Sequence, residues 1–136
     1  MEAHLLQVHR DIEAAIPDAN FDGLAVLDFE SWRPLWFLNW GSKRIYKNES
    51  IAYVLQRFPH LSRKSAKSIA AIEFNVAAAD FLRQTIRYGL SMRPFAKWGF
   101  YGIPYCNYDA GQLSETECSE DFKNYNDRFD ENLIEL

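Results

Sequence analysis

The amino-acid sequence predicts an α/β protein, and three observations carry that expectation. Gly23-Leu-Ala-Val-Leu-Asp-Phe-Glu30 is a nearly continuous apolar run whose polar groups sit only at its C-terminal end, the pattern of a strand buried in a parallel sheet. Amphipathic helical periodicity precedes this run and follows it. The chain has 136 residues, of which 48% are hydrophobic and 25% charged, enough for one domain that buries roughly two-thirds of its unfolded surface.

The elements follow in order. Residues 3–16 place Leu5, Leu6, Ile12 and Ile16 among charges at helical spacing, and Pro17 ends that helix in a turn, Pro17-Asp-Ala-Asn20. The strand 23–30 comes next, followed by a tryptophan-rich loop, Ser31–Ser42. Lys43–Phe58 is weakly helical and stops at Pro59. Ser62 is the expected N-cap of a long helix over residues 63–92, with Ile69, Ile72, Val76, Leu82, Ile86 and Leu90 on its apolar face and Arg93-Pro94 at its close. Lys97–Ile103 is the second strand. After Pro104 a polar loop runs to Ser119, and Phe122, Tyr125, Phe129 and Leu133 mark a final helix over 120–134. No internal repeat, low-complexity stretch or linker interrupts the chain, so the expectation is one structural unit.

Composition narrows the function classes. Residues 1–97 hold 13 Lys+Arg against 10 Asp+Glu, whereas residues 98–136 hold 2 against 9; a mildly basic body with an acidic tail argues against nucleic-acid binding. No apolar run approaches the ~18 residues of a membrane span, and the charged N-terminus does not read as a signal-peptide core. Two cysteines alone do not settle the redox compartment. Trp32, Trp36, Trp40 and Trp98 lie on or beside strand ends, which suits a carbohydrate groove and a packed core equally. The basic set Arg33, Lys43, Arg44 and Lys47 either meets a polyanionic sugar or forms a solvated surface.

Asp28 and Glu30 stand two apart at the end of the first run. On a strand both side chains would share a face, and repulsion with burial would leave one protonated beside an ionised partner, the division of labour that glycoside hydrolysis needs. Barrel enzymes carry such residues at their C-terminal strand ends. A strand running into solvent with two surface acids fits the same short pattern.

The surrounding residues are more specific. Gly23-Leu-Ala-Val-Leu-Asp-Phe-Glu-Ser-Trp-Arg-Pro-Leu-Trp36, then Asn39-Trp40-Gly41, Ile45-Tyr46, Met92-Arg-Pro94 and Trp98-Gly-Phe-Tyr-Gly-Ile-Pro-Tyr-Cys106 closely resemble the signature of the hyaluronidase family, from about residue 3 to Asp127. The resemblance implies an endo-β-N-acetylhexosaminidase acting on hyaluronan, with chondroitin as a second substrate, and no metal or organic cofactor. It implies that Glu30 is the single catalytic acid and that the substrate's own N-acetyl carbonyl is the nucleophile, with retention. Asp28 would hold and polarise the acetamido group, and Tyr101 would hydrogen-bond near it. Arg33 would meet a substrate carboxylate or fix the site, pairing with Glu30 or Asp28 being the plainer reading. Cys106 and Cys118 match the two ends of a family disulfide. The sequon Asn48-Glu-Ser50 would be glycosylated, and both features agree with a secreted or lysosomal protein.

The chain also departs from the family. Tyr105 stands where an acid is common, and the stretch after Asn126-Asp127 matches poorly. The family barrel resembles a TIM barrel with one fewer strand pair and needs more than twice this length. The expectation is therefore a barrel fragment of about two parallel strands with flanking helices, part of a single catalytic domain incomplete at both ends. A truncated, inactive relative that binds glycosaminoglycan weakly or needs a partner to fold is the alternative.

Overall fold

The computed structural model of the chain describes residues 1–133, with side chains described to residue 128. The elements are α1 (Glu2–Ala15), β1 (Leu24–Leu27), α2 (Arg44–Arg57), α3 (Arg63–Met92), β2 (Lys97–Phe100) and α4 (Glu120–Leu133), with two 3₁₀ turns at Trp36–Leu38 and Gly41–Lys43. The sides expected of Phe129 and Leu133, and the last helical residue at 134, lie outside the described residues. The helices match the sequence periodicity to within about a residue. Ser62 caps α3 as expected, its Oγ accepting from the Ser65 amide at 3.1 Å.

β1 and β2 are parallel, with Leu24 opposite Lys97 and Leu27 opposite Phe100. They form a two-stranded sheet among the described residues. Both strands are shorter than the apolar runs suggest: β1 stops at Leu27, before Asp28, and β2 stops at Phe100. Gly102 follows at φ +72°, a left-handed turn in which the pairing cannot continue. The expected burial on both faces is also corrected. Ala25 is buried, but Leu24 is 77% and Val26 63% exposed, so one face of β1 is uncovered.

The chain divides into two compact units, the first comprising Met1–Asp28 with Thr85–Leu136 and the second Phe29–Gln84. In the first, Val8 and Ile12 of α1 and Leu82's neighbours further along α3, Thr85 and Ile86, are buried. Two polar links join these helices: His4 Nε2 meets Thr85 Oγ1 at 2.9 Å, and His9 Nδ1 meets Tyr88 OH at 3.0 Å. Arg93 is buried and donates from Nε to Ile16 O at 2.7 Å and from Nη1 to Met92 O at 2.8 Å. It thereby supplies donors to carbonyls at the ends of α1 and α3, where helix carbonyls lack partners and cations are favoured. A Cβ on Gly89 would lie 3.0 Å from the Trp98 ring, so glycine lets α3 approach that ring, whose Nε1 donates to Arg93 O at 3.2 Å.

The second unit packs α2 on the first part of α3. Trp36, Ile51, Val54, Ala66 and Ala70 form its buried core, with Ile69 and Phe74 against it. The close approach comes from alanines. Ile72 and Val76, expected on the apolar face of α3, are exposed instead.

Candidate active site

The parallel register determines where the first unit carries its candidate residues. The Tyr101 amide donates to Leu27 O at 2.8 Å, one step past the last paired residues. Asp28 and Tyr101 therefore leave the C-terminal edge of the sheet from adjacent strands. Asp28 is exposed and Tyr101 is 63% exposed, so both are open to a ligand rather than packed.

Glu30 and Arg33 belong to the second unit. Because β1 ends at Leu27, Asp28 and Glu30 do not share a strand face, and of the two arrangements that fit the pattern the structure has the exposed carboxylates. Arg33 pairs with neither acid among the described residues. Its Nη1 donates to Phe29 O at 3.0 Å and to Glu30 O at 3.4 Å. The guanidinium thus braces the main chain on both sides of the Glu30 amide, fixing backbone rather than neutralising a side chain.

The loop that carries Arg33 is organised by Asn39, which is fully buried. Its Oδ1 accepts from the Arg33 amide at 2.9 Å, and its Nδ2 donates to Arg33 O at 2.7 Å and Leu35 O at 3.0 Å. Asn75 of α3 takes the Trp36 amide at 2.7 Å. The sequence reading gave neither asparagine a role. The available signal was an apolar, tryptophan-rich loop whose buried main-chain groups require polar partners from somewhere. Around this frame Phe29, Trp32, Phe74 and Phe81 pack in tilted and edge-on pairs, with ring centroids 5.5–6.2 Å apart. Trp32 and Trp36 are thus packed residues, whereas Trp40 is exposed.

The loop after Tyr101 is closed by a Cys106–Cys118 disulfide, with Cα atoms 5.1 Å apart. Asn126 of α4 holds its start, accepting from the Tyr105 amide at 2.8 Å and donating to Tyr105 O at 2.7 Å. Asn48 is exposed on α2, and Ser50 of the same sequon donates to Tyr46 O at 2.7 Å. No helix among the described residues is long and apolar enough to cross a membrane.

Parallel strands flanked by helices, with an acid and a tyrosine leaving one sheet edge, are the arrangement of a (β/α) barrel, whose active sites lie at that edge. The profile of the family described as Hyaluronidase matches residues 1–131, and the chain belongs to that family. A chondroitin hydrolase of Caenorhabditis elegans is 46% identical over 127 residues, covering 93% of this chain and 28% of that protein. Hyaluronidase-1 of Homo sapiens is 40% identical over 128 residues, covering 93% of this chain and 29% of that protein. Bee venom hyaluronidase, solved in complex with a hyaluronic acid tetramer, superimposes with a TM-score of 0.82 at 34% identity, over 96% of this chain and 40% of that one. The chain thus spans a little over a quarter of the length of these two curated relatives.

Proposed function

We propose that the chain carries the catalytic segment of an endo-β-N-acetylhexosaminidase that hydrolyses hyaluronan or chondroitin, as part of a single barrel domain. The carrying observation is the register that brings Asp28 and Tyr101 out on adjacent strands, with Glu30 two residues further along a braced main chain. The substrate's acetamido oxygen attacks C1 as Glu30 gives its proton to the leaving glycosidic oxygen. Asp28 polarises the acetamide N–H, and Tyr101 orients the group. Water then attacks C1, Glu30 takes its proton, and the ring opens to restore the acetamide with the β configuration retained. This is the substrate-assisted exception to the two-carboxylate scheme. Arg33 acts by fixing the Glu30 main chain and by presenting positive charge toward a uronate.

The names of the relatives support the substrate class, and the chondroitin hydrolase at 46% identity is why chondroitin stands beside hyaluronan. A secreted or lysosomal setting is supported by the Cys106–Cys118 bond, since disulfides persist in oxidising compartments. In that setting Asn48, exposed on α2, is the glycan acceptor. The test is digestion of hyaluronan and unsulfated chondroitin by the secreted protein, with proton NMR of the first products. New reducing ends that start as the β anomer are expected; no products, or α-anomer ends, contradict the proposal.

A further inference from the structure

We propose that the disulfide-closed loop after Tyr101 docks into the groove between α2 and α3 of a second copy of this chain, in a head-to-tail contact. The proposal does not depend on the enzymatic reading above.

The two halves of the contact carry opposite charge. The unit formed by residues 29–84 holds 9 Lys+Arg against 4 Asp+Glu, whereas the unit formed by residues 1–28 and 85–136 holds 6 against 15. Two copies attract when the basic unit of one meets the acidic unit of the other, whereas like units repel. A contact chosen in this way joins unlike surfaces and is heterologous.

The loop is the knob. Leu113 and Tyr108 are fully exposed, yet the chain around them is held. The Cys106–Cys118 bond closes the loop. Asn107 Oδ1 accepts from the Ser119 amide at 2.9 Å, and its Nδ2 donates to the Glu115 carboxylate. At the tip Gly111 takes φ +91°, and its amide donates to Glu115 O at 2.6 Å. The Glu115 amide in turn donates to Gln112 O at 3.0 Å. Large apolar side chains kept in water on a braced turn mark a binding element, because little ordering is left to do on association. Asp109, Glu115 and Glu117 stand beside them in sequence, and residues 101–119 contain no Lys or Arg.

The groove is the matching hole. Cavities of about 280 and 240 Å³ share Phe74 and Ala77 and so run together along the second unit. Each is below the ~300–1,000 Å³ of drug-sized sites, the scale of one large side chain. Ala70, Phe74, Ala77 and Phe81 recur at helical spacing as one stripe of α3, the alanines leaving depth between the rings. Tyr46 and Tyr53, two turns apart, form the α2 wall. The surroundings are basic. Glu73, the acid of the lining, is paired with Arg57, whose guanidinium also lies 4.7 Å from the centre of the Tyr53 ring. Burial, then the nearby Lys67 and Arg44, lowers the Lys47 pKa, so three cations cluster beside Tyr46. Aromatic walls with arginine at the rim are where apolar anchors bind best.

The test is sedimentation velocity on the full-length protein over a concentration series. The parent should self-associate at about 50 mM NaCl, and at least about tenfold more weakly at about 500 mM, where exposed charges are screened. Leu113→Asp removes the knob, and Ala77→Glu fills the groove with charge of the wrong sign. Both positions are exposed, and circular dichroism matching the parent shows that the variants are folded. Tyr53→Asp, on the exposed wall of α2, replaces Ala77→Glu should that variant misfold. Each variant alone should stay monomeric. An equimolar mixture of the loop variant and the groove variant should form a dimer and nothing larger, because one intact knob then meets one intact groove. A parent that stays monomeric overturns the proposal. So does association that neither variant weakens, that added salt leaves unchanged, or that the mixture fails to restore.

Discussion

Replacing Asn39 with alanine tests the frame that holds the Glu30 segment. Asn39 is fully buried and makes three hydrogen bonds of 2.7–3.0 Å, all to main-chain groups of Arg33 and Leu35. The substitution strands the Arg33 N–H and C=O in a largely apolar loop, while Leu35 O keeps only the Leu38 amide. At about 1 kcal/mol per lost bond, the loss sums to roughly 3 kcal/mol, and more where water cannot enter. Asn39→Asp is the sharper variant. It keeps the bond to the Arg33 amide but turns a buried charge toward two carbonyls, so at pH 7 it should destabilise at least as much as alanine. It should recover part of the loss in acid, as a protonated carboxyl regains a donor. Equilibrium urea unfolding followed by tryptophan fluorescence reads this directly, since Trp32, Trp36 and Trp40 lie on the same loop. Comparison is made with the parent at matched concentration and oligomeric state. An Asn39→Ala midpoint equivalent to less than about 0.5 kcal/mol of destabilisation would refute the claim that this side chain organises the loop.

Other consequences are equally accessible. Removing the Cys106–Cys118 bond as the double serine variant should destabilise by about 3 kcal/mol, by the chain-entropy model for a loop of this size, and expose Asp109–Glu117 to limited proteolysis; an unchanged melting temperature counts against it. Burial, then the amino-terminal ammonium, pulls the His4 pKa below 6.5, with Asp11 opposing. The unfolded chain thus takes the proton first, so stability is full above pH 6.5 and falls as pH drops through and below it. His4→Gln should flatten that slope in a pH series of thermal melts. The uncovered Leu24 and Val26 and the open sheet edges predict that residues 1–136 expressed alone self-associate; Leu24→Lys with Val26→Thr should shift the species to smaller size on gel filtration, and a monomeric parent would contradict this.

The helices were legible because their boundaries are chemical. Pro17 stops α1, Ser62 caps α3, and Arg93-Pro94 ends it. Strand lengths were not legible, because an apolar run says nothing of where pairing ends; Asp28 lies one residue beyond it. On α3 the large residues Ile72 and Val76 misdirected the reading. Tight helix packing selects small residues, so Ala66, Ala70, Ala78 and Ala79 went inside. At the candidate site, Asp28, Glu30 and Tyr101 were singled out through the surrounding motif rather than from their own spacing. Arg33 was singled out, but its partners were hidden: a guanidinium bound to main-chain carbonyls leaves no complementary residue in the sequence. Asn39 was hidden for the same reason.

The central claim is that Glu30 is the proton donor and acceptor for glycosidic cleavage. It is tested most directly by Glu30→Gln in the full-length protein, assayed on hyaluronan and chondroitin by release of reducing ends. Glu30 is exposed, so the amide should preserve the melting temperature. Losing the transferable proton should lower turnover by at least ~10²–10⁴-fold. Parent-like turnover in a folded Glu30→Gln variant would contradict the account.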